Sequence, residues 1–250
     1  MLREKDPACV HGLQESGLQE SSGVILLHGI ARTSRSLRRL EHALRETGIE
    51  TLNLDYPSRK KPLDLLADHV HPAVSDFAGQ NRSAIHFVGH SMGGLLARAY
   101  IAKYRPANLG RVVMLGTPNG GSELADRLQD FFLYRSFYGP AGLQLTTRSN
   151  DMLKSLPAVD YAVGIVAGTR SIDPVGSFLR LPKPNDGRVS VQNSRLTGMT
   201  DHIMVEVSHS GLLSHRGVID QTIEFLQHGS FARPITARPY TGASGPGFFR

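Results

Sequence analysis

Ala84-Ile85-His86-Phe87-Val88-Gly89-His90-Ser91-Met92-Gly93-Gly94-Leu95 is the stretch that decides how this chain is read. An apolar run of strand length ends at Gly89, and a helical pattern opens a few residues later, with Leu95, Leu96, Ala99 and Tyr100 at spacings of one, three and four. Between them lies G-x-S-x-G. A serine lifted onto so sharp a strand-to-helix turn needs a strained backbone. Side chains two positions to either side of it would strike the neighbouring strand and helix. Gly89 and Gly93 remove those side chains. The N–H groups that open the helix, with the positive end of its dipole, then face the place where negative charge develops in acyl transfer. Ser91 is the candidate nucleophile. An ordinary glycine-rich turn is the alternative, and the strand before and helix after weigh against it.

Working outward, strands and helices alternate on both sides of this turn. Strands are expected at Val24–His28, Glu50–Leu54, Ala84–Val88, Arg111–Leu115, Tyr161–Ala167 and Ile203–Val207. Most are short, nearly continuous apolar runs, as strands buried on both faces require. Helical spacing predicts helices over Ser36–Thr47, Leu63–Ala78, Gly94–Tyr104 and Val218–Leu226. The fold class is therefore α/β: a mostly parallel sheet flanked by helices. One domain is expected over residues 23–229, preceded by a polar leader at 1–22 and followed by a Pro/Gly-rich tail at 230–250 that is expected to lie loosely. Residues 119–160 separate two strands by far more than the usual connection. They carry an amphipathic stretch with Leu124, Leu128, Phe131, Phe132, Leu133, Phe137 and Tyr138.

Composition narrows the class. A chain of 250 residues with 40% hydrophobic content can bury a full core, and no apolar stretch approaches the length of a membrane span. The first residues have no apolar core, so no signal peptide is expected. The single cysteine, Cys9, lies in the polar leader and reads as incidental; together these suggest a cytoplasmic, reducing compartment. The net charge is +6, with basic clusters at Arg32, Arg35, Arg38 and Arg39 and at Arg59, Lys60 and Lys61. Such a surplus can draw anionic partners, and weak contact with a membrane surface is one outcome; a solvated helix face is the plainer reading. No nucleic acid is expected, because aromatic interleaving and zinc spacings are missing. No metal-binding or nucleotide-cradling motif is visible either, so no cofactor or metal is expected.

Four blocks together resemble the bacterial lipase-like α/β hydrolases, relatives of the class 2 lipases. They are Leu26-Leu27-His28-Gly29, Gly89-His90-Ser91-Met92-Gly93-Gly94, Leu115-Gly116-Thr117-Pro118-Asn119-Gly120-Gly121-Ser122, and Asn185-Asp186-Gly187-Arg188-Val189 with Ser208-His209-Ser210-Gly211-Leu212-Leu213. The resemblance implies the α/β-hydrolase fold with a short lid-like insertion. It also implies a serine hydrolase that cleaves carboxylic esters, and a catalytic order of serine, then acid, then histidine. Asp186 is the candidate acid, with Asp173 and Asp201 as rivals. His209 is the candidate base, just past the last expected strand; His202 and His215 are less well placed. His28 could tempt as a base, but its place at a strand end suggests loop packing. The backbone N–H groups of Ile30 and Met92 are the expected oxyanion donors, the first from the loop that follows His28-Gly29. The aromatic residues after Ser122 would form a lid or acyl pocket, or else bury in the core.

The same residues could serve thioester hydrolysis or acyl transfer, and a non-catalytic binding protein on this fold is a further alternative. The insertion is short for an interfacial lid. A small acyl ester or thioester is therefore the expected substrate rather than a long-chain triglyceride.

Overall fold

The computed structural model describes residues 22–80, 82–122, 125–126, 139–140, 142, 155–171 and 181–233. Six strands form one sheet: β1 (Gly23–Leu27), β2 (Glu50–Leu54), β3 (Ile85–His90), β4 (Leu109–Leu115), β5 (Val163–Gly168) and β6 (Asp201–Val205). Their order across the sheet is β2-β1-β3-β4-β5-β6, and every neighbouring pair is parallel. The chain thus moves outward from β1 to β2, then returns to the other side of β1 for all later strands. That reversal opens a crevice beyond the carboxyl ends of β1 and β3, the usual place for a ligand in such sheets.

Alternate residues of each central strand feed two cores. On one face Ile25, Leu27, Ile85 and Phe87 meet Leu66, Val70 and Val74 of α2 (Leu63–Ala78) and Leu95, Leu96 and Tyr100 of α3 (Met92–Tyr104). On the other, Val24, Leu26, Val88 and Val113 meet Leu40 and Leu44 of α1 (Arg38–Glu46), with Val218, Phe225 and Leu226 of the last helix. That double burial explains why the strands read as unbroken apolar runs rather than alternating ones. Every residue from Met92 to Ile101 is buried, so α3 is an inner helix, and small residues at Gly93, Gly94, Ala97 and Ala99 allow it that place.

Several boundaries differ from the sequence reading. The helix expected to open at Gly94 starts at Met92, immediately after the serine. The helix expected from Ser36 begins as a tighter turn at Ser34–Leu37 before α1. Strand β6 lies two residues earlier than expected. Its register pairs Asp201 with Gly164 and Val205 with Gly168, and Val207 then turns back to donate to the Val205 carbonyl, 2.8 Å. A short helix, α4 (Val191–Ser194), closes on its own N-cap, Ser190, with no apolar period to announce it. The last helix, α5 (Arg216–His228), runs a turn longer than its apolar stripe and ends at Gly229 with φ 77. The start of the expected loose tail is instead docked. Phe231 is buried against Phe225, and its N–H donates to Asp201 at 3.0 Å. Residues 1–21 of the leader, the aromatic part of the insertion and the rest of the tail lie outside the described residues.

One irregularity has a polar cause. The β3–β4 register shifts between Ile85 and Phe87, where the Arg111 N–H donates to His86 Nδ1 at 2.9 Å instead of to a strand carbonyl. Burial, aided by the Arg111 charge, pushes the His86 imidazole down to about 4. The folded chain therefore refuses a proton that the unfolded chain accepts near its ordinary 6.5. The unfolded state binds more protons across that interval, so stability falls as pH drops from about 6.5 to about 4. We expect His86→Gln to flatten this decline by up to one proton, about 1.4 kcal/mol per pH unit. Urea unfolding at a series of pH values from neutral to acid tests it; an unchanged slope would contradict the assignment.

Candidate active site

Ser91 is the hinge between β3 and α3. It sits at φ 55, ψ −123, one of two non-glycine residues with positive φ among those described. Such a conformation persists only where the surroundings hold it. Its N–H is fixed by the Leu115 carbonyl at the end of β4, 2.8 Å, and its own carbonyl accepts from Gly94 at 3.1 Å. The flanking glycines behave as the sequence demands. A β-carbon on Gly93 would lie 2.7 Å from the His28 carbonyl oxygen and overlap that of Leu27, while one on Gly89 would strike the backbone of Gly93 and Gly94. Elbow and β1 terminus are thus in backbone contact, and neither can move aside cheaply.

Asp186 and His209 come together from loops after β5 and β6. His209 Nδ1 lies 2.8 Å from Asp186 Oδ2, with both side chains buried. The other carboxylate oxygen accepts the N–H groups of Arg188 and Val189, each at 2.9 Å, and the His209 N–H donates to the Asp186 carbonyl at 2.9 Å. Both carboxylate oxygens of Asp186 are thus partnered, one by His209 Nδ1 and the other by two backbone N–H groups. Gly116, which directly follows Leu115, places this pair beside the elbow. A β-carbon there would lie 3.0 Å from Asp186 Oδ2 and 3.2 Å from His209 Nδ1. Serine, imidazole and carboxylate thus share the carboxyl edge of β3, β4 and β5.

The loop after β1 closes the other side. A β-carbon on Gly29 would lie 3.2 Å from Ser91 Cβ. The Ala31 N–H donates to Ser58 Oγ at 3.1 Å, and Ala31 itself has φ 57. His28 is buried; its Nδ1–H donates to the Gly29 carbonyl at 2.8 Å, and its ring stacks on Tyr56 with centroids 4.0 Å apart. The Tyr56 hydroxyl donates back to the His28 carbonyl. Burial holds the His28 imidazole below its usual value. His28 thus braces the loop that carries the Ile30 N–H. Met92 is the first residue of α3, where backbone N–H groups have no partner within the helix.

Among the rivals, Asp201 and His202 stand at the start of β6, the opposite edge of the sheet. Asp201 is engaged by the Phe231 N–H and Arg233, and His202 Nε2 by Ser194 Oγ at 3.2 Å. His215 is the N-cap of α5, and Asp173 lies outside the described residues.

His90 was not singled out by sequence, yet the structure ties it to the same group. Its Nε2–H donates to the His209 carbonyl at 3.0 Å, and the two rings stand 4.8 Å apart. Burial first, and the neighbouring His209 charge second, hold its imidazole well below the usual range. Its place inside the motif, at the end of a strand buried on both faces, is the signal that could have found it. A buried polar ring there must have a partner.

The profile of the alpha/beta hydrolase family matches residues 24–234. The chain belongs to that family. A triacylglycerol lipase of Pseudomonas fragi is 38% identical over 93 residues, 37% of this chain and 30% of that protein. Another, from Pseudarthrobacter phenanthrenivorans, is 42% identical over 53 residues, 21% of this chain and 16% of that protein. The matched stretches thus span less than a third of either lipase. Among solved structures, the mature lipase BlEst2 of Bacillus licheniformis superposes with a TM-score of 0.69 at 19% identity, covering 89% of this chain and 96% of that one. The likeness is one of fold.

The close approach of Gly93 to β1 gives a direct test. We expect Gly93→Ala to destabilise the protein by about 1–3 kcal/mol or more, since backbone on both sides must shift. Denaturant unfolding beside wild type measures it, and a loss under about 0.5 kcal/mol would contradict the packing.

Proposed function

We propose that this α/β hydrolase cleaves carboxylic esters by covalent catalysis, with Ser91 as nucleophile, His209 as base and Asp186 as its partner. The observation that carries the reading is the buried His209–Asp186 pair, 2.8 Å between Nδ1 and Oδ2, beside the strained elbow at Ser91. A serine hydroxyl is a weak nucleophile until a base takes its proton. His209 Nε2 accepts that proton as Ser91 Oγ attacks the acyl carbon, and the Asp186 carboxylate stabilises the imidazolium that results. The tetrahedral oxyanion is received by the N–H groups of Ile30 and Met92; one such donor is commonly worth about 3 kcal/mol of barrier. The protonated imidazole then gives its proton to the departing alkoxide. In the second half, water loses a proton to His209, attacks the acyl-enzyme and releases the acid, restoring Ser91. No step calls for a cofactor. The curated relatives named as triacylglycerol lipases and the lipase-like fold support an acyl ester as substrate.

With short p-nitrophenyl esters, Ser91→Ala and His209→Gln are expected to lower kcat by about 10⁴-fold or more, and Asp186→Asn by about 10³–10⁴-fold, with unfolding midpoints retained. Wild type should react covalently with a fluorophosphonate probe, and Ser91→Ala should not. Equal labelling of the two would falsify the nucleophile. The matching thioester under the same conditions reports which acyl donor is preferred.

A further inference from the structure

Among the described residues, Arg98 is a cation without a counter-charge. It lies on α3, seven residues beyond Ser91, which is about 10 Å along the helix axis, and it is 6% exposed. Its one hydrogen bond runs from a terminal guanidinium nitrogen to the neutral Asn119 Oδ1, at a long 3.3 Å. Its Nε is buried with no partner. Burial pulls its pKa down. Proteins seldom bury a charge in this way, because a desolvated cation with unfilled donors is costly.

The side chain borders a cavity of about 160 Å³ whose walls include Ile101, Arg105, Leu156, Asp160 and Tyr161. At about 30 Å³ per water in the liquid, that is room for roughly five waters, or for one phosphate-sized ion with a water or two. The charges around it do not cancel that of Arg98. Asp160, the acid on the wall, is taken by Arg105 at 2.7 Å, and the Arg105 guanidinium rests 6.0 Å from the Tyr161 ring centroid. Burial pushes the Tyr161 hydroxyl up to about 12, so near neutrality it keeps its proton and can donate it. Ile101 and Leu156 give the cavity an apolar side, while Arg105 and Asp160 stand exposed at its rim.

The geometry points to an oxyanion site: the cavity between α3 and residues 156–161 binds a phosphate group against the guanidinium of Arg98. The planar donor fork of arginine matches two phosphate oxygens at once, and such charge-assisted pairs are the strong ones. The group can arrive as inorganic phosphate or as the end of a small phosphomonoester. The site is separate from the proposed catalytic residues and does not depend on them.

Calorimetric titration of the full chain, at constant ionic strength set with chloride, tests this with inorganic phosphate in one arm and glycerol 3-phosphate in the other. The expected result is saturable one-to-one binding in at least one arm, weakened by about tenfold or more in Arg98→Met. Binding of inorganic phosphate alone marks an enclosed ion, and binding of both marks a site open to a monoester; either supports the site. Should Arg98→Met fail to fold, Tyr161→Phe takes its place, with an expected loss of about threefold or more. No saturable heat in either arm, or affinity unchanged in the folded variant, overturns the proposal.

Discussion

A backbone turned to φ 55 at Ser91 is the constraint on which the rest of this molecule is arranged. Nothing intrinsic to serine favours that conformation; it survives because strands and helix leave it no alternative. The Leu115 carbonyl holds its N–H, and α3 begins at the next residue. The helix can begin there only if Gly93 lies flat against the end of β1, where any β-carbon would meet the Leu27 and His28 carbonyls. The same close approach brings the loop after β1 beside the serine, at the place where the strand order reverses. Strain, helix start, loop placement and crevice are therefore one arrangement. A change that relaxes the serine must also part α3 from β1.

That dependence explains what could be read in the sequence. The elbow is local: glycines two residues either side of a serine, a strand before and a helix after, all within residues 84–95. The parallel sheet was readable because β1 and β3 are buried on both faces and so apolar throughout. The meeting of Asp186 with His209 was open to inference only as an order along the chain, since it joins loops beyond two different strands. The boundaries of β6 were misplaced because Val205 and Val207 look alike in sequence, and only the register against β5 shows where pairing ends. Arg98 was hidden for another reason. A helical pattern shows which face is buried, but whether a buried cation meets a carboxylate depends on segments far along the chain.

The polar groups around the elbow also divide the work of holding it. Tyr56 and His28 brace the loop after β1 through a stacked pair and two backbone bonds, and Ser58 holds Ala31. Asp186 spends one carboxylate oxygen on two backbone N–H groups and the other on His209. None of these contacts is a surface ion pair that salt would screen. They are directional and mostly buried, which suits a site that keeps its geometry.

Two imidazoles 4.8 Å apart, His90 and His209, show how environment alone can separate the roles of identical groups. Both are buried, but only His209 has a carboxylate at its Nδ1. His90 has a carbonyl at one nitrogen and no partner at the other, so nothing compensates a charge on its ring, and burial keeps it neutral. In the proposed reaction the arriving proton has two rings within reach of the same field. The carboxylate draws it to His209, while a charge on His90 would repel it. A neutral His90 leaves that attraction unopposed. The elbow motif thus places, beside the serine, a neutral imidazole bonded to the backbone of the proposed base.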